Sequence, residues 1–584
     1  MATSVPFQPT ADEWITQGKS WFQHCEVTHA HRCPKMLQKL PTRVVHVGDD
    51  LNNPYLYESD LNEVGTYACL SYVWGQNQPF LTTTGTFEKR QNGFKLDLLP
   101  RTIRDAVIFT RGLGLKFLWV DSICIIQDSI QDWTSEAAKM CSVYSKAAVT
   151  FAAMDSPDSN SGLFVGGPNR YTVKVDLQAG PVYFRCHTHG TPGSEPHPQN
   201  LPPFDNNEPP ILTTRGWTLQ ELILSPRVLW CRRSELGWSC LSEKACECAP
   251  EPSANDHDVP YEDLDGLTVQ FQSQSIPEDN TKFLKLWAEL VDTYGRRKLS
   301  KEADRLPALA GLAEMFQRKI NCRYLFGLWD TNLESQLLWT SANVPWMENE
   351  KLEPHKFVPR LPDDYAPSWS WARCQGQVSL WESMDHNRSV YYPNNESNSG
   401  SGAEDFEWEI KGVEIWPSGT NIFGPGSGHL TLETLMVPVE YHRENSQRGA
   451  MILYSGSKPA FRSTHKSLCL LIQGSTDGWL SFDFRLSSDK KNSLECIDMY
   501  FAFAKIGNVY EGSEEYYTLF GLLLMKISED EDHYMRIAAC GDVRLELSSE
   551  SSTTFSVGNS LQQYTTGSLR HWKQLGKRKT IVIV

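Results

Sequence analysis

Between residues 67 and 154 the chain alternates short apolar runs with helical periodicity, and this alternation restricts the fold more than any other feature. YACLSYVWG (67–75) is rich in strand formers and is closed by a glycine. In LPRTIRDAVIFTRGLGLKFLWVDSICIIQDS (99–129), Ile103, Ala106, Val107 and Thr110 keep helical spacing. Thr102 is a candidate N-cap after Pro100, with Asp105 three residues on, and Gly112 and Gly114 end the helix. KFLWV (116–120) then reads as a buried strand. Asp132 can cap a second helix that carries Trp133, Ala137, Met140 and Tyr144, and VTFAAM (149–154) is a third strand. Strand, helix, strand, helix, strand is the grammar of a parallel sheet covered by helices, an α/β class. In such sheets ligands sit at the carboxyl ends of the strands. That directs attention to 71–75 and 121–128.

The rest of the chain reads less sharply. The first sixty residues are mixed and Pro-punctuated, with one strand at RVVHV (43–47). Residues 155–212 are rich in Ser, Asn, Gly and Pro and read as a long insertion with one short strand pair. A helix fits from about Trp217 and ends before Pro226, because proline disfavours helix at the residue before it; a strand follows at 227–231. Residues 249–280 are acidic and Pro/Ser-bearing, as a linker would be. Residues 281–330 look helical. Beyond about 365 the texture is one of short strands, turns and aromatics, a mainly β region, with a mobile loop expected at 394–403. The 584 residues suggest about three or four domains. The division read here is an N-terminal extension (1–39), an α/β domain (40–250, with the 155–212 insertion), a linker and helical connector (251–364), and a β-rich region (365–584).

Net charge is −16, which repels phosphate backbones, so nucleic acid is not an expected partner. No apolar run approaches the ~18 residues of a membrane span. No secretory signal is visible, so a cytoplasmic address is expected, with most of the 15 cysteines reduced. Cys231, Cys240, Cys246 and Cys248 invite a zinc reading, but their gaps are irregular and contain no C-x-x-C pair, so no metal site is expected. There is no phosphate-binding G-x-x-x-x-G-K-[ST] string and no G-x-S-x-G elbow. Trp369 and Trp371 of APSWSWA would share one face of a strand and plug a core.

Four blocks, YACLSYVWG, LPRTIRDAVIFTRGLGLKFLWVDSICIIQDS, DWTSEAAKMCSVYSKAAVTFAA and RGWTLQELILSPRVLW, occur in an order that resembles the fungal heterokaryon-incompatibility (HET) domain. LPTRVVHVG (40–48), DRLPALAGLAEMF (304–316), YLFGLWDTNLESQLLW (324–339), APSWSWA (366–372) and the ending RKTIVIV are similar to flanking regions of that family. The resemblance implies non-self recognition between fused fungal cells, ending in growth arrest or death. It also implies an unidentified non-self or effector partner and a homo-oligomer on activation. The HET domain is in turn similar to the Toll/interleukin-receptor (TIR) domain, which implies a doubly wound parallel sheet. Some members of that fold cleave NAD with a glutamate in a helix of the form S-x-W-C-x-x-E-L. GWTLQEL (216–222) resembles that helix, with Glu221 at the glutamate position, Trp217 at the tryptophan and Thr218 where the cysteine would be.

On this reading NAD is a substrate and no cofactor is expected. Glu221 would stabilise a ribosyl cation, as carboxylates do in glycoside hydrolysis; alternatively it pairs with Arg215 or Arg227. Trp217 and Trp74 are ring walls or core anchors. Gly75 allows a tight turn or a close approach. Ser71 donates to a ligand hydroxyl or to local backbone. Asp121 binds ribose hydroxyls or caps a helix, and Gln127 and Asp128 complete a polar rim or fix a loop. Arg215 binds phosphate or forms an internal pair. The rival to an enzyme is a signalling module that acts by self-association or effector docking.

Overall fold

The computed structural model describes residues 8–166 except 50, 51 and 77, and residues 172–177, 180–185, 210–254, 268, 272, 280–341 and 361–380 except 363. It further describes 408–443 except 420, and 449–453, 468–470, 479–482, 499–511, 514–527, 531–546, 552–557, 560–565 and 577–584. The expected loop at 394–403 lies outside these residues. Helices and sheets are mixed, as the α/β reading requires. Two compact units divide the chain: one holds Met1–Ile276, Arg297–Leu299 and Pro307–Lys319, the other Pro277–Arg296, Ser300–Leu306 and Ile320–Val584.

The first unit is built on a nine-stranded sheet. In chain order its strands are β1 (Arg43–His46), β2 (Tyr55–Glu58), β3 (Tyr67–Ser71), β4 (Phe117–Trp119), β5 (Val149–Ala153), β6 (Arg227–Cys231), β7 (Leu236–Cys240), β8 (Glu243–Cys246) and β9 (Ala249–Ala254). Their spatial order is β9-β8-β7-β6-β5-β3-β4-β1-β2. The central four, β4, β3, β5 and β6, run parallel. The flanks on both sides are antiparallel. Chain order reverses between β3 and β5, and in open sheets such a reversal leaves a crevice at the strand carboxyl ends. Ser71 is the last residue of β3.

Alternation along β3 sorts the two layers of helix. Tyr67, Cys69 and Ser71 face α3 (Ile130–Ser145) and α4 (Gly216–Leu224): the Tyr67 hydroxyl donates to Val143 O at 2.6 Å, and Ser71 reaches α4. On the other face Phe151, the register partner of Leu70, stacks on Phe109 of α2 (Arg101–Gly112) at 4.9 Å. There α1 (Ala11–Thr28) also packs. Gly18 lets it come close, since a Cβ there would stand 3.1 Å from the Phe109 ring and 3.3 Å from Leu229.

Several boundaries differ from the sequence reading. Helix α1 was not foreseen, although Thr10 and Glu13 form a full capping box at its start. Thr102 is not the N-cap of α2: Pro100 holds that position, and the Thr102 hydroxyl instead accepts Gly162 N–H at 3.0 Å. Ser129, not Asp132, caps α3 by accepting Asp132 N–H, which frees the Asp132 carboxylate for Arg43. Residues 249–254, expected as linker, are the edge strand β9, tied to α1 through Trp21 Nε1 and Pro250 O at 2.7 Å. The strand pair in the insertion is Thr172–Leu177 with Gly180–Arg185.

Within the expected helical region 281–330, Asn280–Gly295 and Ala310–Ile320 form helices, and Tyr324–Leu325 and Leu328–Trp329 pair as strands. Trp369 and Trp371 are wholly buried, but not on a strand: Ser370 caps a 3₁₀ turn, Trp371–Arg373. The Trp371 and Trp287 indoles both donate to Gly327 O at 2.9 Å. A second nine-stranded sheet is assembled from strands between Glu409 and Ile583. No helix among the described residues is long and apolar enough to cross a membrane.

Candidate functional site

Helix α4 starts where Arg215 leaves extended backbone and stops at Ser225, which precedes Pro226 and is extended as that neighbour demands. The helix is buried on nearly every side; only Trp217 is half-exposed. It therefore carries Glu221 into the interior, against the end of β3. The Ser71 hydroxyl donates to Glu221 Oε2 at 2.5 Å, joining residues 150 positions apart. Ser71 is 0% and Glu221 7% exposed. The Tyr144 hydroxyl donates to Leu70 O at 3.2 Å and stands beside the glutamate.

Burial pushes the Glu221 carboxyl up to about 7, and the negative charge of Asp121 adds to the rise. The Ser71 and Tyr144 hydroxyls and the Arg215 guanidinium favour the ionised form and hold the shift in check.

Asp121 stands half-buried just past β4. Trp74 Nε1 donates to its Oδ2 at 2.8 Å, and the peptide N–H of Ser122 donates to Oδ1 at 2.7 Å. Desolvation raises its carboxyl to about 6, against the pull of these donors and of Arg215. Behind it, the Tyr72 hydroxyl donates to Ser122 Oγ at 2.8 Å and accepts from Gln78 Nε2 at 2.7 Å. Two carboxyls thus influence one another at the strand ends, with one arginine acting on both.

A buried clamp fixes the loop that carries Asp121. Arg43 of β1 holds Asp132 with Nη2 at 2.8 and 2.6 Å from its two oxygens, and its Nε donates to Cys124 O at 2.8 Å. Asp132 Oδ2 in turn accepts Ile126 N–H at 2.8 Å.

Ser71, Trp74, Asp121, Arg215 and Glu221 are therefore brought to one place. Gln127 joins them as a loop fastener, its Nε2 donating to Asp121 O at 3.0 Å and to Ile125 O at 3.2 Å. Asp128 does not join: its carboxylate accepts from the backbone and hydroxyl of Thr84. Trp217 meets Trp133 of α3 edge-on at 6.3 Å. Gly75 has φ +78, and a Cβ there would stand 2.5 Å from Asp158 Cβ, so the close approach it permits is by the 157–159 loop. Arg227 is not a partner of Glu221; its Nη2 donates to Pro34 O at 2.8 Å and its Nη1 to Ala148 O at 3.4 Å.

The reading of the sequence missed Tyr144 and Tyr72. Tyr144 continues an apolar helical stripe and so looks like core; only the fold shows its hydroxyl beside a carboxylate. The four cysteines 231, 240, 246 and 248 do not form one group. The Cys231 thiol turns to Leu229 O, and Cys246 and Cys248 lie beside Glu235.

Residues 67–221 match the family model described as heterokaryon incompatibility protein (HET). The match spans β3 through Glu221, from one half of the Ser71–Glu221 contact to the other. No curated protein and no solved structure matches the chain.

Proposed function

Since the chain carries a HET domain at 67–221, we propose that this heterokaryon-incompatibility-type protein acts by hydrolysing NAD at the Glu221 site. The observation that carries the reading is the Ser71–Glu221 contact, which sets a titratable carboxyl at the carboxyl end of a central parallel strand. In the reaction the bond between ribose C1′ and the nicotinamide nitrogen breaks. The electron pair goes to the ring nitrogen and neutralises its charge. Water adds to C1′ and releases a proton, giving nicotinamide and ADP-ribose. Ionised Glu221 stabilises the ribosyl cation between these events. Asp121 holds ribose hydroxyls, Arg215 a phosphate, and Trp74 and Trp217 stack on the rings.

In this reading the sheet is the TIR-like doubly wound one, the domain runs over 40–250, and the 365–584 region is a mainly β module of its own. The protein works in the fungal cytoplasm as a non-self sensor. An effector protein or self-association triggers it, and NAD loss kills the cell. The test is NAD consumption by the purified full chain at rising concentration, wild type against Glu221→Gln. Loss of NAD with release of nicotinamide, abolished in the variant, supports the proposal.

The full burial of Ser71 favours a second reading, in which Glu221 is structural and the domain signals by docking. Toxicity on expression that survives Glu221→Gln, with NAD intact, would select that reading.

A further inference from the structure

Away from the carboxyl site, the carboxyl end of α1 meets the end of β7. Cys25 lies in the last turn of α1, and His29 is its C-cap. A turn follows the helix, with Arg32 and Cys33 N–H donating to His29 O at 2.9 and 2.8 Å. It brings Cys33 back beside Cys25 and His29. Cys240, the last residue of β7, joins them from 211 positions after His29. All four side chains are buried, and the three sulfurs and a ring nitrogen lie within 4.8 Å of one another.

We propose that Cys25, His29, Cys33 and Cys240 bind one zinc ion as a structural Cys₃His site. Zinc–sulfur and zinc–nitrogen bonds of about 2.3 and 2.0–2.1 Å, at a tetrahedral angle, place sulfur and nitrogen about 3.6 Å apart. His29 Nδ1 and Cys240 Sγ are 3.5 Å apart. The surroundings suit metal-bound thiolates. Peptide N–H groups of Ser242 and Glu243 point at Cys240 Sγ, each at 3.4 Å, and Arg227 Nε–H donates to Cys25 Sγ at 3.2 Å. Three thiolates, a neutral imidazole and a divalent ion leave one net negative charge, which the buried Arg227 guanidinium balances. The other histidine nitrogen, Nε2, stands 3.2 Å from Glu243 Oε1. A carboxylate on the far nitrogen of a ligating histidine fixes its tautomer and orientation. Four protein ligands fill a tetrahedral zinc, so the site would be structural and not catalytic. It would fasten α1 to the antiparallel wing of the sheet, and a fragment beginning at residue 40 would lack three of its four ligands.

The test uses the full chain, purified under reducing conditions. Elemental analysis should find one zinc per chain, released by a mercurial thiol reagent. Replacement by cobalt(II) should give the intense visible bands of a tetrahedral ion and a thiolate charge-transfer band. Cys33→Ser and Cys240→Ser should each reduce metal content at least tenfold, and Cys322→Ser should leave it unchanged. Glu243→Gln, outside the ligand set, should keep the cobalt spectrum and weaken affinity about 10–100-fold. Because the cysteine variants can fail to fold, the wild-type cobalt titration decides by itself. A folded wild type that is metal-free and shows no bands with cobalt(II) would overturn the proposal. So would a disulfide among the three cysteines, or full metal content in folded Cys240→Ser.

Discussion

Glu221 and Cys240 are both ionisable side chains buried in the same unit, but their neighbours differ in kind. Around Glu221 stand hydroxyls from Ser71 and Tyr144 and, farther off, Arg215. These donors compensate the carboxylate in part, so its proton is held near neutral pH. Around Cys240 stand two further thiols and a histidine nitrogen. Such a set is rich in lone pairs, and a cation satisfies it better than any of its own members can. A carboxyl with partial compensation is suited to chemistry, and a closed set of sulfurs and an imidazole to holding structure.

The contrast can be broken from either side. Withdrawing zinc with a strong chelator should have the largest effect. At a free-zinc level about a thousand times Kd the ion contributes about 4 kcal/mol, so its loss should lower Tm by about 10 °C. Scanning calorimetry with and without chelator checks this, and an unchanged Tm would remove the distinction drawn here. Next comes Arg43→Met, which strands the Asp132 carboxylate and frees the loop behind Asp121. A destabilisation of about 3 kcal/mol is expected in urea unfolding, at the lower end for a broken buried pair because Asp132 keeps some exposure.

Glu221→Gln should act in the opposite sense. The folded protein binds the Glu221 proton more tightly than the unfolded chain, whose glutamate has the ordinary value of 4.5. Wild-type stability is therefore full below 4.5 and falls as pH rises through about 7. The variant escapes that loss. Measured against wild type, it should gain up to about 3 kcal/mol at pH 8 and nothing near pH 4. Urea midpoints across this range read it directly. Smallest is Trp74→Phe, which removes one hydrogen bond to Asp121. It should raise the Asp121 pKa above about 6 by an amount worth about 1 kcal/mol, visible in the carboxyl signals of an NMR titration.

The two sites were unequally legible in the sequence. The central strands and their order of helices follow from apolar runs and 3–4 spacing, and the helix-like string GWTLQEL marks Glu221. The strand and helix signals are local, whereas Glu221 and its place beside the strand ends were expected only from the resemblance of GWTLQEL to the TIR glutamate helix. Side-chain partners are a different matter. Thr102 and Asp132 looked like caps because their types and positions suit capping, but the chain enters these helices two and three residues earlier, at Pro100, which makes no side-chain cap bond, and at Ser129, whose hydroxyl does. The Cys25, His29 and Cys33 spacing was present to be read, but its fourth member belongs to β7. Cys240 was grouped with its sequence neighbours 231, 246 and 248, because only the antiparallel return of β7 shows which cysteine points to α1. Edge strand β9 escaped for a related reason: its acidic, proline-bearing composition reads as linker until a neighbouring strand pairs with it.

The measurement that bears most directly on the central claim is the pH profile of NAD consumption by the full chain at concentrations that drive self-association. With ionised Glu221 as the stabilising group, the rate should rise as pH passes through about 7 and level off above it. Glu221→Gln should lose that inflection and fall by about 10²–10³-fold. NAD left intact by the wild type at every concentration and pH, or consumed equally by the variant, would contradict the assignment of this carboxyl to catalysis.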